Sequence, residues 1–154
     1  MYPKQHLILG VVFASLLFFL FPKVGIIGFF LISFSAVLID VDHYLYYVYR
    51  KKDWSLKKAF HWHVTQGNKL LFLPREKRKN IFLGFFFLHG IEIMLLFLIL
   101  GFFFYKYFFF IFVGFSFHLL LDVIYQTTFW DHIQKFSIIY DFIKIRRIKE
   151  DSLA

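Results

Sequence analysis

Two carboxylates and an imidazole fall within four residues at Asp40-Val41-Asp42-His43, closing an apolar run that reaches back to Val24. Two later pairs share that character: His89 with Glu92, and His118 with Asp122, each inside its own apolar run. Ionisable groups at membrane depth cost about 2.5–3.5 kcal/mol each on insertion scales. Asp40, Asp42, Glu92 and Asp122 would therefore cost on the order of 10 kcal/mol if ionised, unpaired and central. The apolar runs themselves contain no Lys or Arg, so the offset must come from protonation, from histidine or from a bound cation. Mixed imidazole and carboxylate donors suit zinc, manganese or iron better than calcium or magnesium, which favour all-oxygen shells. We expect Asp40, Asp42, His43, His89, Glu92, His118 and Asp122 to hold one or two divalent ions. Zinc is the first choice, with manganese and iron the others. Glu92 and Asp42 are the candidates for catalytic acid–base work.

The elements that must position these groups are helices. Hydrophobic residues make up 60% of the 154-residue chain and aromatics 25%, with 26 Phe, more than a soluble domain of this size can hide. With no cysteine there are no disulfides, thiolate metal sites or thiol nucleophiles. The expectation is a single all-α membrane domain: a four-helix bundle of two helical hairpins, with helices over about 6–21, 24–48, 81–104 and 107–125. Each run approaches the roughly 20 residues needed to cross the hydrocarbon. A basic loop, 50–80, joins the hairpins, and an amphipathic tail, 131–149, is suited to an anionic leaflet. The alternative for that tail is a cytoplasmic helix packed on the bundle.

Of the 18 Lys and Arg, ten lie in the loop and five in the tail, whereas the short turns carry only Lys23 and Lys106. By the positive-inside rule the loop, the tail and both termini face the cytoplasm, in the inner or plasma membrane. The net charge of +8 then reports topology, with no nucleic-acid partner implied.

Depth and facing both favour a shared site. At about 1.5 Å rise per residue, Asp40 lies roughly 26 Å from Lys23 along its helix, and His89 about 26 Å from Lys106. By the same count His118 and Asp122 lie roughly 18 and 24 Å from Lys106. All seven groups thus fall in one slab near the cytoplasmic side. His89 with Glu92 (i,i+3) and His118 with Asp122 (i,i+4) would each share a helix face, as do Asp40 and His43. Asp42 faces elsewhere unless the helix breaks or tightens there, which we expect. Inward carboxylate and histidine pairs are how four-helix carboxylate proteins build metal sites.

Taken singly, the first group also reads as a solvated helix end, the last as a packed hydrogen-bonded pair, and His89 with Glu92 as a proton relay. Their common depth favours the ion. His61 and His63 read as interfacial histidines, with an accessory ligand or proton-shuttle role as the alternative. Lys69 and Arg75 are the candidates for phosphate contact. His6, Asp131 and His132 read as surface residues.

With these residues assembled, the chain resembles the membrane-bound metal-dependent hydrolases, including the LexA-regulated inner-membrane type. Leu38-Ile39-Asp40-Val41-Asp42-His43 resembles that family's L-P-D-x-D-H, with Ile39 in place of proline. The stretch from Gly114 to Asp122 resembles G-x-x-S-H-x-x-x-D, with Phe117 in place of the serine before His118. The middle motif, H-R-G-x-T-H-S, finds two partial counterparts: Leu88-His89-Gly90, and His61 with Thr65, where Gln66 replaces the final histidine.

The resemblance implies metal-dependent hydrolysis. A divalent ion would lower the pKa of bound water and clamp a phosphoryl oxygen. Phosphoesters of lipid-like substrates at the cytoplasmic leaflet are the expected target, with membrane lipid as both environment and substrate. Two other classes use the same residues: a small metal-ion or proton-coupled transporter, for which a homo-oligomer is the natural form, and a di-iron membrane oxidase. A purely structural membrane protein is the remaining reading.

Overall fold

The computed structural model describes residues 3–74, 77, 84–129 and 136–147, the side chains of 144–147 excepted. Every regular element among them is helical: α1 (Pro3–Leu20), α2 (Gly25–Leu38), α3 (Val41–Lys51), α4 (Leu56–Phe72), α5 (Ile91–Phe103), α6 (Lys106–Phe129) and α7 (Ile138–Arg147). Three helical stretches are long and apolar enough to cross a membrane: Pro3–Leu20, Pro22–Lys51 and Lys106–Phe129. The chain divides into two compact units, one made of residues 1–40 and 91–122, the other of 41–90 and 123–154.

In the first unit α1 and α2 form an antiparallel hairpin around a 3-10 turn, Pro22–Val24. Gly25 closes that turn at φ +61°, where a Cβ would be strained. Small residues let the helices approach: a Cβ on Gly10 would meet that of Ala36 at 2.8 Å. Further along the same pair, Phe18 meets Phe29 edge-on. α6 runs alongside α2, with Phe110 packed where Gly28 leaves room and Gly114 set against the Ile32 carbonyl and the Ser35 hydroxyl. Phe13 of α1 stacks on Phe117 of α6 at 4.0 Å. α5 and α6 form a second antiparallel pair, in which Phe97 meets Phe108 and Phe115.

In the second unit Lys52, at φ +53°, ends α3. Asp53 then accepts the Ser55 amide at 2.9 Å and pairs with Lys58 Nζ at 2.8 Å, while the Ser55 hydroxyl caps α4 at Lys58 N–H. Tyr46 and Tyr47 pack against Trp62. Further along, Leu70 is covered by Leu71, Leu73 and Tyr125.

Three expectations are corrected. The stretch 50–80 is not a plain loop, because α4 occupies Leu56–Phe72 with a proper cap. The helix expected over 81–104 begins only at Ile91: residues 84–86 are extended, Phe87–His89 is a 3-10 turn, and Gly84 (φ +151°) and extended Gly90 interrupt the helical backbone. At 13 residues, or about 20 Å, α5 falls short of the roughly 30 Å hydrocarbon core. The helix expected over 24–48 is divided at 39–40, where the Asp40 amide bonds to Val37 at 3.0 Å, a 3-10 step. Residues 75–76, 78–83, 131–135 and 148–149 of the expected elements lie outside the described residues, Arg75, Asp131 and His132 among them.

Gly114→Val should force α6 from α2, with the cost of about 1–3 kcal/mol typical of overpacking, and lower the melting temperature of the detergent-purified chain. A second expectation concerns acid. The bond to Lys58, then the Ser55 amide, hold the Asp53 carboxyl below the usual carboxylate range. Its contribution is therefore complete above the unfolded-state pKa and disappears as pH falls through the lowered folded value. The Asp53→Asn variant should melt slightly earlier than the parent at neutral pH, and the gap should close in acid.

Candidate metal centre

The tightened step at 39–40 has a chemical consequence. In an uninterrupted α-helix the Asp40 amide would bond to the Ala36 carbonyl. Since it goes to Val37 instead, Ala36 O turns to the His118 ring and accepts from Nδ1 at 2.8 Å. A carbonyl oxygen only accepts, so Nδ1 carries a proton and donates it, and Nε2 is the ring nitrogen turned to the carboxylates. That Nε2 lies 3.7 Å from Asp40 Oδ1 and 3.8 Å from Asp122 Oδ2. These separations are too long for hydrogen bonds. They are near the roughly 3.4 Å between two donors on a tetrahedral ion with 2.0–2.1 Å arms.

His6 completes this group, and reading the sequence as a surface residue missed it. It is 1% exposed, its ring stacks on His118 at 3.8 Å, and its Nε2 lies 3.2 Å from Asp122 Oδ1. One donor atom from each of His6, His118 and Asp122 lies within 4.8 Å of the others, all three residues buried. The available signal was position: α1 starts at Pro3, so His6 sits on its first turns, one helical turn before the small Gly10 that packs on α2.

The second unit gathers Asp42, His43 and His89 around one carboxylate. Asp42, 1% exposed, accepts from His43 Nδ1 at 3.0 Å through Oδ1, and from His89 Nδ1 at 3.0 Å and the Leu88 amide at 2.9 Å through Oδ2. Both rings donate to this carboxylate from Nδ1, so Nε2 of each ring faces away from Asp42. A carboxylate that accepts from Nδ1 fixes the orientation of the ring, as the partners behind metal-ligating histidines do. Asp42, expected as a ligand and a catalytic group, thus has both oxygens engaged in orienting its neighbours. The His43 and His89 rings stack at 4.6 Å. His63 stacks on His43 at 5.2 Å and donates from Nε2 to the His43 carbonyl at 2.8 Å, whereas His61 is exposed.

Of the seven expected ligands, Asp40, His118 and Asp122 therefore come together in one unit, and Asp42, His43 and His89 in the other. Glu92 does not share a helix face with His89, because Gly90 separates the 3-10 turn from α5. Glu92 lies in the first turn of α5, partly buried, and is not among the described donors that cluster with His6, His118 and Asp122. Lys69 is exposed in the last turn of α4.

The chain is thus an all-helical protein with membrane-length apolar helices and buried His/Asp clusters that could hold a metal ion. No protein family, characterised protein or solved structure matches it.

Two substitutions read the two clusters separately. His6→Ala should weaken zinc retention by about tenfold or more, measured as metal content after dialysis against a graded chelator. Asp42→Asn replaces an acceptor with an amide and should free the His43 and His89 rings to rotate, seen as a changed imidazole NH pattern by NMR.

Proposed function

We propose that the chain is a membrane-embedded four-helix, metal-dependent hydrolase that cleaves phosphoester bonds of lipid-like substrates at the cytoplasmic leaflet, of the type its motifs resemble. The observation that carries this reading is His118. Its Nδ1 proton is held by the Ala36 carbonyl, and its Nε2 is turned toward two nearly buried carboxylates, Asp40 at 11% and Asp122 at 6% side-chain exposure. An imidazole Nε2 facing two buried carboxylates marks a place that calls for positive charge, which a bound divalent ion supplies. Zinc fits the donor set best, manganese or iron next.

In this reading His6, His118 and Asp122 hold the ion, and Asp40, 3.7 Å from His118 Nε2, adds a second carboxylate beside it. A divalent ion held by these residues would supply an acidified water and charge stabilisation for a phosphoryl oxygen. Asp42 keeps His43 and His89 in one tautomer and orientation, ready to bind or to pass a proton through Nε2. Glu92 is the candidate base for the attacking water. Basic residues of the 50–80 segment, Lys69 among them, attract the anionic head group, and closeness to the leaflet boundary lets substrate enter from lipid.

The purified chain loaded with zinc or manganese should release phosphate or a head group from phospholipid in mixed micelles. Chelation should abolish that release, metal should restore it, and His118→Ala should remove it at unchanged helicity. Metal uptake into proteoliposomes without any phospholipid turnover would sink the hydrolase and support a carrier.

A further inference from the structure

The α7 helix is amphipathic in the reverse of the sense expected in water. Its acid, Asp141, is 3% exposed, while Ile139, Tyr140, Phe142 and Ile143 are 62, 58, 51 and 45% exposed. At about 100° per residue these four apolar side chains share an arc of roughly 160°, with Asp141 on the opposite side. The preceding Phe136 is exposed as well. The start of the helix is set by Ser137, whose hydroxyl accepts the Tyr140 amide at 3.2 Å and whose carbonyl accepts the Asp141 amide at 3.0 Å. The inversion is therefore not a matter of register.

A helix with its carboxylate inward and its Ile, Phe and Tyr outward is stable only where the outside is less polar than water. Length decides how the helix meets that phase. Ten residues extend about 15 Å, half of the hydrocarbon thickness, so α7 cannot cross it. Charge decides which surface it meets: the sequence of its last turn carries Lys144, Arg146 and Arg147. A basic segment next to an apolar helix face favours a leaflet with anionic headgroups.

We infer that α7 is an in-plane membrane anchor. Its Ile139-Tyr140-Phe142-Ile143 face lies at the acyl boundary, and the positive charge of its C-terminal turn selects an anionic leaflet. This attachment goes beyond the hydrolase reading and does not depend on it.

The chain lacks cysteine, so Ile139→Cys or Ile143→Cys places one nitroxide label on this face of the full-length protein. In nanodiscs containing phosphatidylglycerol, both labels should collide with oxygen several-fold more readily than with a water-soluble nickel chelate. Lys144→Glu with Arg146→Glu and Arg147→Glu, added to Ile143→Cys, should move the label toward water. The same labels in phosphatidylcholine-only discs should be more accessible to nickel, which keeps the test open if the charge-reversed chain fails to fold. Nickel access in anionic discs equal to that of a soluble loop would overturn the inference. So would shielding from both reagents that is the same in both lipids, the signature of a protein contact such as a second copy.

Discussion

The bond between His118 Nδ1 and the Ala36 carbonyl is the interaction on which the first unit's chemistry rests. It exists because the chain departs from α-helical hydrogen bonding for one step at 39–40, which releases a carbonyl that a regular helix would have used. The same step ends α2 beside Asp40. Small residues then let the rest follow. Gly114 brings α6 against α2 at Ser35 and Ile32, and one turn later His118 reaches Ala36. Ser35 turns its own hydroxyl back to the Leu31 carbonyl, so it packs there without leaving a polar group unmet. The polar cluster is thus positioned by close backbone approach rather than by polar residues alone.

In the second unit one carboxylate has a comparable role. Asp42 accepts two imidazole protons and one backbone amide, and it lies in the first turn of α3, where the helix terminus favours negative charge. By taking the Leu88 amide it also holds the chain in the non-helical form that precedes α5. A buried carboxylate with both oxygens engaged is costly to disturb, since each lost bond leaves a buried polar group unmet by water. This gives a physical reason why the third apolar helix is short.

How far the site was legible in the sequence differs residue by residue. Asp40, His118 and Asp122 could be found because ionisable groups inside apolar runs stand out by cost alone. The facing mismatch of Asp42 with Asp40 and His43 called for a break in the helix, and the backbone tightens at 39–40. His6 was not legible: one histidine near a chain end looks like a surface residue until α1 is packed on α6. The pairing of His89 with Glu92 failed because periodicity counted through Gly90, whose extended backbone takes His89 out of the helix. α4 was hidden by its polarity, although Ser55 and Asp53 were present as a capping signal.

Composition and the spacing of apolar runs by themselves determined an all-helical chain with membrane-length segments, because lipid leaves a backbone few other ways to satisfy its hydrogen bonds. They also determined which side chains were too costly to be incidental. Only tertiary structure decided which of those side chains share a cluster, which ring nitrogen of His118 meets the Ala36 carbonyl, and which carboxylate accepts from two imidazoles at once. Those outcomes depend on contacts between residues far apart in the chain, such as Ala36 with His118 and Asp42 with His89. No local periodicity encodes them.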